Sequence, residues 1–116
     1  MNVEVMVITF LKTKTSFPVS GEVPKTLPDK FITIERTSGG RNNMVLDLAE
    51  VLISVYSKNS KLEAANEADS IADSIPGLLV DYENITRASV NSVIQSDDTV
   101  RGYRRYLVYV DVFNRR

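Results

Sequence analysis

The sequence contains neither cysteine nor histidine. Their absence removes disulfides, thiolate nucleophiles, imidazole bases and the usual zinc ligand sets in one step. Long apolar runs are missing as well. The longest apolar-leaning stretch, residues 3–11, is interrupted by Glu4 and followed by Lys12 and Lys14. It is too short for a membrane-crossing helix and lacks a signal-peptide cleavage pattern, so the expectation is a protein that is not secreted and has no membrane partner. Nor does one sign of charge prevail: 14 basic against 15 acidic side chains give a formal net charge of −1. No global positive field is available to hold a phosphate backbone by counterion release.

What is present fits one soluble domain. The 116 residues are 43% hydrophobic and 25% charged, enough to bury a single core with nothing spare for a second. Charge is uneven along the chain. Arg101, Arg104, Arg105, Arg115 and Arg116 stand against Asp111 alone at the end, whereas Glu63, Glu67, Asp69, Asp73 and Asp81 make the middle acidic. Opposite faces of a self-associating subunit could use that asymmetry.

Residues 2–14 fit two periodicities: Val3, Val5 and Val7 alternate like a strand, while Val3, Val7, Phe10 and Leu11 recur at helical spacing. Helix is favoured, because the two lysines would complement its dipole and Pro18 forbids much continuation. Residues 19–29, with Gly21, Pro24 and Pro28, read as an extended arm or loop that could reach a neighbour. Residues 31–36 alternate as a strand ending at the turn signal Thr37-Ser38-Gly39-Gly40. Residues 44–56 are ambiguous and are read as a second, antiparallel strand, joined through a hairpin at residues 39–43. Ser60 with Glu63 three residues later predicts a capping box opening a helix over 60–75, with Ala64, Ala65, Ala68, Ile71, Ala72 and Ile75 on its apolar stripe and Pro76-Gly77 as its stop. Residues 78–84 and 88–95 look β-like. Residues 103–113 are apolar on both faces, which suits an interior strand or one covered by a partner. The expected fold is α+β, a mostly antiparallel sheet with the main helix packed on it and a short amino-terminal helix.

Candidate chemistry is thin. Asp47 with Glu50, or Asp69 with Asp73, could be paired carboxylates, but acids outside an apolar stripe read first as a solvated face. Gly39-Gly40-Arg41 lacks the following lysine and hydroxyl of a phosphate loop, and is read as a turn that offers Arg41 to a partner carboxylate. Arg101, Arg104 and Arg105 among Tyr103 and Tyr106 have a composition used on nucleic acid, or on a neighbouring subunit's acidic helix. Tyr56, Tyr82 and Tyr109 read as core or edge aromatics. No catalytic residue, metal site or cofactor is expected.

An apolar amino-terminal segment is followed by Val23-Pro24-Lys25-Thr26-Leu27-Pro28-Asp29-Lys30-Phe31-Ile32-Thr33-Ile34-Glu35-Arg36-Thr37-Ser38-Gly39-Gly40, then Asp47, the alanine-rich helix and the closing Arg105-Tyr106-Leu107-Val108-Tyr109-Val110. This order resembles the tail terminator, or tail completion, proteins of long-tailed (siphovirus-type) bacteriophages and prophages. The likeness runs over nearly the whole chain, and the Val-Pro to Gly-Gly stretch is its specific part. The chain departs from the pattern in having no tryptophan or cysteine in the strand ending Ser54-Val55-Tyr56-Ser57, which leaves the subfamily open. The resemblance implies a non-enzymatic virion protein at the head-proximal end of the tail, assembled in the host cytoplasm. It implies a ring, usually a hexamer, that binds the tail tube protein, ends tube polymerisation and offers a surface to the head connector. Nucleic acid would enter only as DNA passing through the ring. Pro24 and Pro28 of the arm, with Arg41, Arg101 and Arg104, are the expected partner-binding residues. Two alternatives are a neck or head completion protein of the connector and a small nucleic-acid-binding module.

Overall fold

Helical spacing prevails at the amino terminus. In the computed structural model, which describes residues 3–41, 46–58, 60–96 and 102–115 (side chains excepted at 38–41, 46 and 47), α1 spans Val3–Lys12. Val3, Met6, Val7, Phe10 and Leu11 are all buried, the 3–4 spacing that puts one stripe against a core. Glu4 in the first turn and Lys12 in the last complement the helix dipole. Pro18 lies beyond the helix, where its carbonyl accepts a 2.8 Å bond from the Ile32 amide.

Five strands form one sheet: β1 Val19–Ser20, β2 Lys30–Arg41, β3 Leu46–Ser57, β4 Ile85–Gln95 and β5 Arg104–Arg115, in the order β1-β2-β3-β5-β4. All neighbours are antiparallel except β1, which runs parallel to β2 through Val19↔Ile32 and Ser20↔Thr33. The fold is therefore α+β with a mostly antiparallel sheet, as the patterning predicts. β5 is an interior strand between β3 and β4, which accounts for its apolar residues on both faces.

Two turn signals mislead. Thr37-Ser38-Gly39-Gly40 does not end the strand. β2 shifts register between Arg36 and Ser38 and then continues, with Gly39↔Ala49, Gly40↔Leu48 and Arg41↔Asp47 still paired. A bulge absorbs the irregularity, and glycine is tolerated beside one. The hairpin expected at residues 39–43 is thus still paired strand through Arg41, and the rest of that expectation, residues 42 and 43, lies outside the described residues. Pro76-Gly77 does not stop the helix either. α2 covers Lys61–Ser74, tightens into a 3-10 turn at Ile75–Gly77, and resumes as a short α3 over Leu78–Asp81, so residues 78–84 do not form a strand. Pro76 sits in the first positions of the 3-10 turn, where a missing N–H loses no bond. Gly77 is right-handed; a Cβ there would lie 3.1 Å from Phe10 Cζ, so the glycine serves close approach.

The cap of α2 is a relay. Ser60 Oγ accepts from the Glu63 amide at 3.2 Å, as a capping box predicts. The Glu63 carboxylate reaches the Ser60 amide only through Ser57, whose hydroxyl accepts from Ser60 N at 3.3 Å and donates to Glu63 Oε1 at 2.6 Å. Ser57 is fully buried at the end of β3, so the loop from strand to helix is tied by one hydroxyl.

Both helices lie on one side of the sheet. Ile32, Ile34, Val51, Ile53, Val55, Val108, Val110 and Val112 meet Phe10, Leu11, Ile71, Ile75 and Leu78 in a single core. Burying side chains of this size contributes about 1.5–3 kcal/mol each. No buried side-chain nitrogen or oxygen lacks a partner among the described residues. Phe10→Ala is expected to lower unfolding free energy by about 3–5 kcal/mol, as a buried aromatic truncation. Ser57→Ala is expected to lower it by about 1–3 kcal/mol, because it removes the fully buried hydroxyl that accepts from the Ser60 amide and donates to the half-buried Glu63 carboxylate. Chemical denaturation of both variants checks the order.

Candidate functional site

The opposite face of the sheet carries no helix among the described residues. Alternation puts Phe31, Thr33 and Glu35 of β2, Leu48, Glu50, Leu52, Ser54 and Tyr56 of β3, and Arg105, Leu107, Tyr109, Asp111 and Phe113 of β5 on it. Leu48, Leu52, Tyr109 and Phe113 are half-buried. Glu50 and Asp111 lie directly opposite each other, a like-charge pair that costs stability unless something offsets it. Thr37 Oγ1 donates to Glu50 Oε1 at 3.0 Å.

One end of this face is covered by the chain itself. Phe31 stacks on Tyr56 at 4.4 Å between ring centroids, and Tyr103 meets Phe31 edge-on at 5.5 Å. The Tyr103 hydroxyl donates to the Pro28 carbonyl at 2.6 Å. The Lys58 amide donates to the Asp29 carbonyl at 2.7 Å. Residues 19–29 are therefore tied to their own sheet, through β1 at one end and through Pro28 and Asp29 at the other. Val19 belongs to the core. Between these anchors Val23 and Leu27 are 42% and 41% exposed. A cavity of about 290 Å³ opens between residues 21–23 and the sheet, with Glu22, Glu35, Thr33, Ser54, Tyr56 and Arg105 on its walls.

The expected partner-binding residues separate in space. Pro24 and Pro28 are half-buried in the tied segment, and exposed Arg104 begins β5 beside Ser57, at the same end of the sheet. Arg41 closes β2 at the opposite end, roughly 36 Å away along a strand rising about 3.3 Å per residue. It stands in a strand, not in the exposed turn expected for it. Arg101 lies outside the described residues. Arg105 is clasped to Ser96, donating to its carbonyl at 2.7 Å and to its hydroxyl at 2.9 Å. Tyr103 is buried in the aromatic cluster and Tyr106 packs on the core, so these two rings present no stacking surface to bases.

The acids also sort themselves. Asp69 and Asp73 are exposed on the outer face of α2, whereas half-buried Glu67 accepts a hydrogen bond from Thr15 Oγ1. Among the described residues no group of three or more acidic side chains is placed to hold a metal ion. None of the described helices is long and apolar enough to cross a membrane.

The sequence does not say which strands form the two outer edges of the sheet. β4 forms one. At the other, β1 covers only Ile32 and Thr33 of β2, leaving the outer side of residues 34–41 without a strand among the described residues. Edges carry rows of backbone donors and acceptors and are ready templates for pairing. Their signal in the sequence is weak, because strand order is set by long-range pairing and not by periodicity.

No protein-family model matches the chain, and no curated protein matches its sequence.

Tyr103→Phe removes the hydroxyl that holds the Pro28 carbonyl. It is expected to cost about 1 kcal/mol and to speed cleavage near Lys25 by trypsin, read as the half-life of the intact chain under native conditions. Unchanged proteolysis would mean that the segment is held by other contacts.

Proposed function

We propose that this protein is a ring-forming tail terminator of a long-tailed phage, which caps the tail tube, ends its polymerisation and offers a joining surface to the head. The reading rests on the resemblance of the Val23 to Gly40 stretch and on an architecture that favours assembly over a catalytic cleft. The observation that carries it is the one-sided cover of the sheet: two helices on one face, a half-buried apolar and acidic surface on the other, and an open edge on either side. A heterologous ring needs two different, complementary flanks per subunit, and β4 and β2 supply different flanks.

In this account the protein works by binding and not by catalysis. Its partners are further copies of itself, the tube subunit and the head connector, and its place is the virion tail. The tied segment with Val23 and Leu27, together with exposed Arg104, forms one end of the subunit; the paired ends of β2 and β3 at Arg41 and Asp47 lie at the other. The molecule measures 45 × 24 × 23 Å, so its long axis separates the two ends. A terminator needs that separation, because tube and connector lie on opposite sides of the ring.

The test is light scattering on the purified protein alone and with tail tubes of the same phage, followed by electron microscopy. A ring seated at tube ends is the expected result. Binding to portal-containing heads but not to tubes would replace this reading with a neck protein, and indifference to both would end it.

A further inference from the structure

The cavity between residues 21–23 and the sheet is lined by hydroxyls that the fold leaves unused. Ser54 and Tyr56 are 5% and 2% exposed, yet neither side-chain hydroxyl has a hydrogen-bond partner among the described residues, and nor has that of half-buried Thr33 beside them. No side-chain oxygen sealed from water lacks a partner among the described residues, so these hydroxyl oxygens are the parts of the three residues that reach the cavity. A buried hydroxyl that bonds to nothing costs stability, and an occupant able to bond it offsets that cost.

A carboxylate stands on either side of the mouth. Glu22 of the fold-back segment and Glu35 of β2 both line the cavity and both are exposed, and neither has an ion pair among the described residues. Arg105 also lines it, but its guanidinium is committed to Ser96, donating to the carbonyl at 2.7 Å and to the hydroxyl at 2.9 Å. Val23 and Leu52 supply apolar wall on the two sides.

This lining selects its ligand. Facing carboxylates repel an anion and attract a cation, and the apolar walls suit a cation on a hydrocarbon stem. A hard divalent ion needs several oxygens converging on one point, and no group of three or more acids is so placed among the described residues. A guanidinium brings five N–H donors in one plane, enough to serve both carboxylates and the hydroxyls between them, and it sheds water more readily than an ammonium. The volume of about 290 Å³ is at the small end for ligand pockets, which run to about 300–1,000 Å³, and suits one long side chain. The mouth opens on the uncovered face of the sheet, where half-buried Leu52 and Tyr109 are followed by Glu50 opposite Asp111. A polypeptide that inserts an arginine finds further apolar and acidic surface there, which a free amine would leave uncovered.

We infer that this cavity receives an arginine side chain of a partner protein, held between Glu22 and Glu35 over the hydroxyls of Thr33, Ser54 and Tyr56. The site goes beyond the terminator reading and does not depend on it.

The test is an amide chemical-shift titration of the isotope-labelled protein with N-acetylarginine methylamide, against the equally capped norleucine and aspartate. Capped arginine should give saturable shifts at Thr33, Glu35, Ser54 and Tyr56, and the other two should give none. Glu22→Gln with Glu35→Gln removes both charges at exposed positions; the thermal melt should be unchanged and binding should weaken about tenfold, the worth of two part-exposed ion pairs. Added salt should weaken binding to the unaltered protein more than to E22Q/E35Q. No saturable shift with capped arginine, equal shifts with norleucine, preference for aspartate, or full binding by the double variant would each overturn the site. None of these outcomes touches tube capping, so the terminator reading stands or falls separately.

Discussion

Burial of one sheet face under two helices is the constraint from which the rest of the structure follows. α1 and the helical segment from Lys61 to Asp81 cover that face, and no further layer lies on the other among the described residues. Everything else adapts to the cover. Gly77 exists to let Phe10 approach, Ser57 ties the start of α2 to the end of β3, and Pro76 is placed where its missing donor does no harm. The uncovered face must then live with water or with a partner. It holds a mixture of half-buried Leu52, Tyr109 and Phe113 with Glu35, Glu50 and Asp111, too polar for a core and more apolar than a surface needs to be.

The same constraint shapes the segment at residues 19–29. Part of the uncovered face is closed by folding the chain back over the Phe31, Tyr56 and Tyr103 cluster, fixed by the Tyr103 hydroxyl on the Pro28 carbonyl. What the fold-back leaves open are the middle of the face and both edges. A protein built to work alone guards such edges with charge or proline. Here residues 88–94 have neither and rely on a register shift between Val90 and Ser92 alone, and this lightly guarded flank is the physical ground for regarding the chain as part of a larger assembly.

Legibility followed the range of the interaction concerned. α1 was readable because Val3, Val7, Phe10 and Leu11 carry the helical period within one short window, and α2 because Ser60 and Glu63 are three residues apart. The hairpin of β2 and β3 and the interior place of β5 were readable from alternation. Thr37-Ser38-Gly39-Gly40 and Pro76-Gly77 misled for one reason: local turn chemistry was overridden by pairing with residues 47–50 and by packing on Phe10. The bond from Tyr103 to Pro28 spans 75 residues and left no local trace. Strand order, and with it the two edges that form the candidate assembly site, could not be read from periodicity at all.

Amide hydrogen exchange, compared between the single chain and the protein seated on tail tubes, tests the central claim most directly. Slowed exchange on assembly in residues 34–39 of β2 and 88–93 of β4, with β3 and β5 unchanged, is the predicted result. Assembly that leaves both edges exchanging as fast as in the single chain would contradict the account.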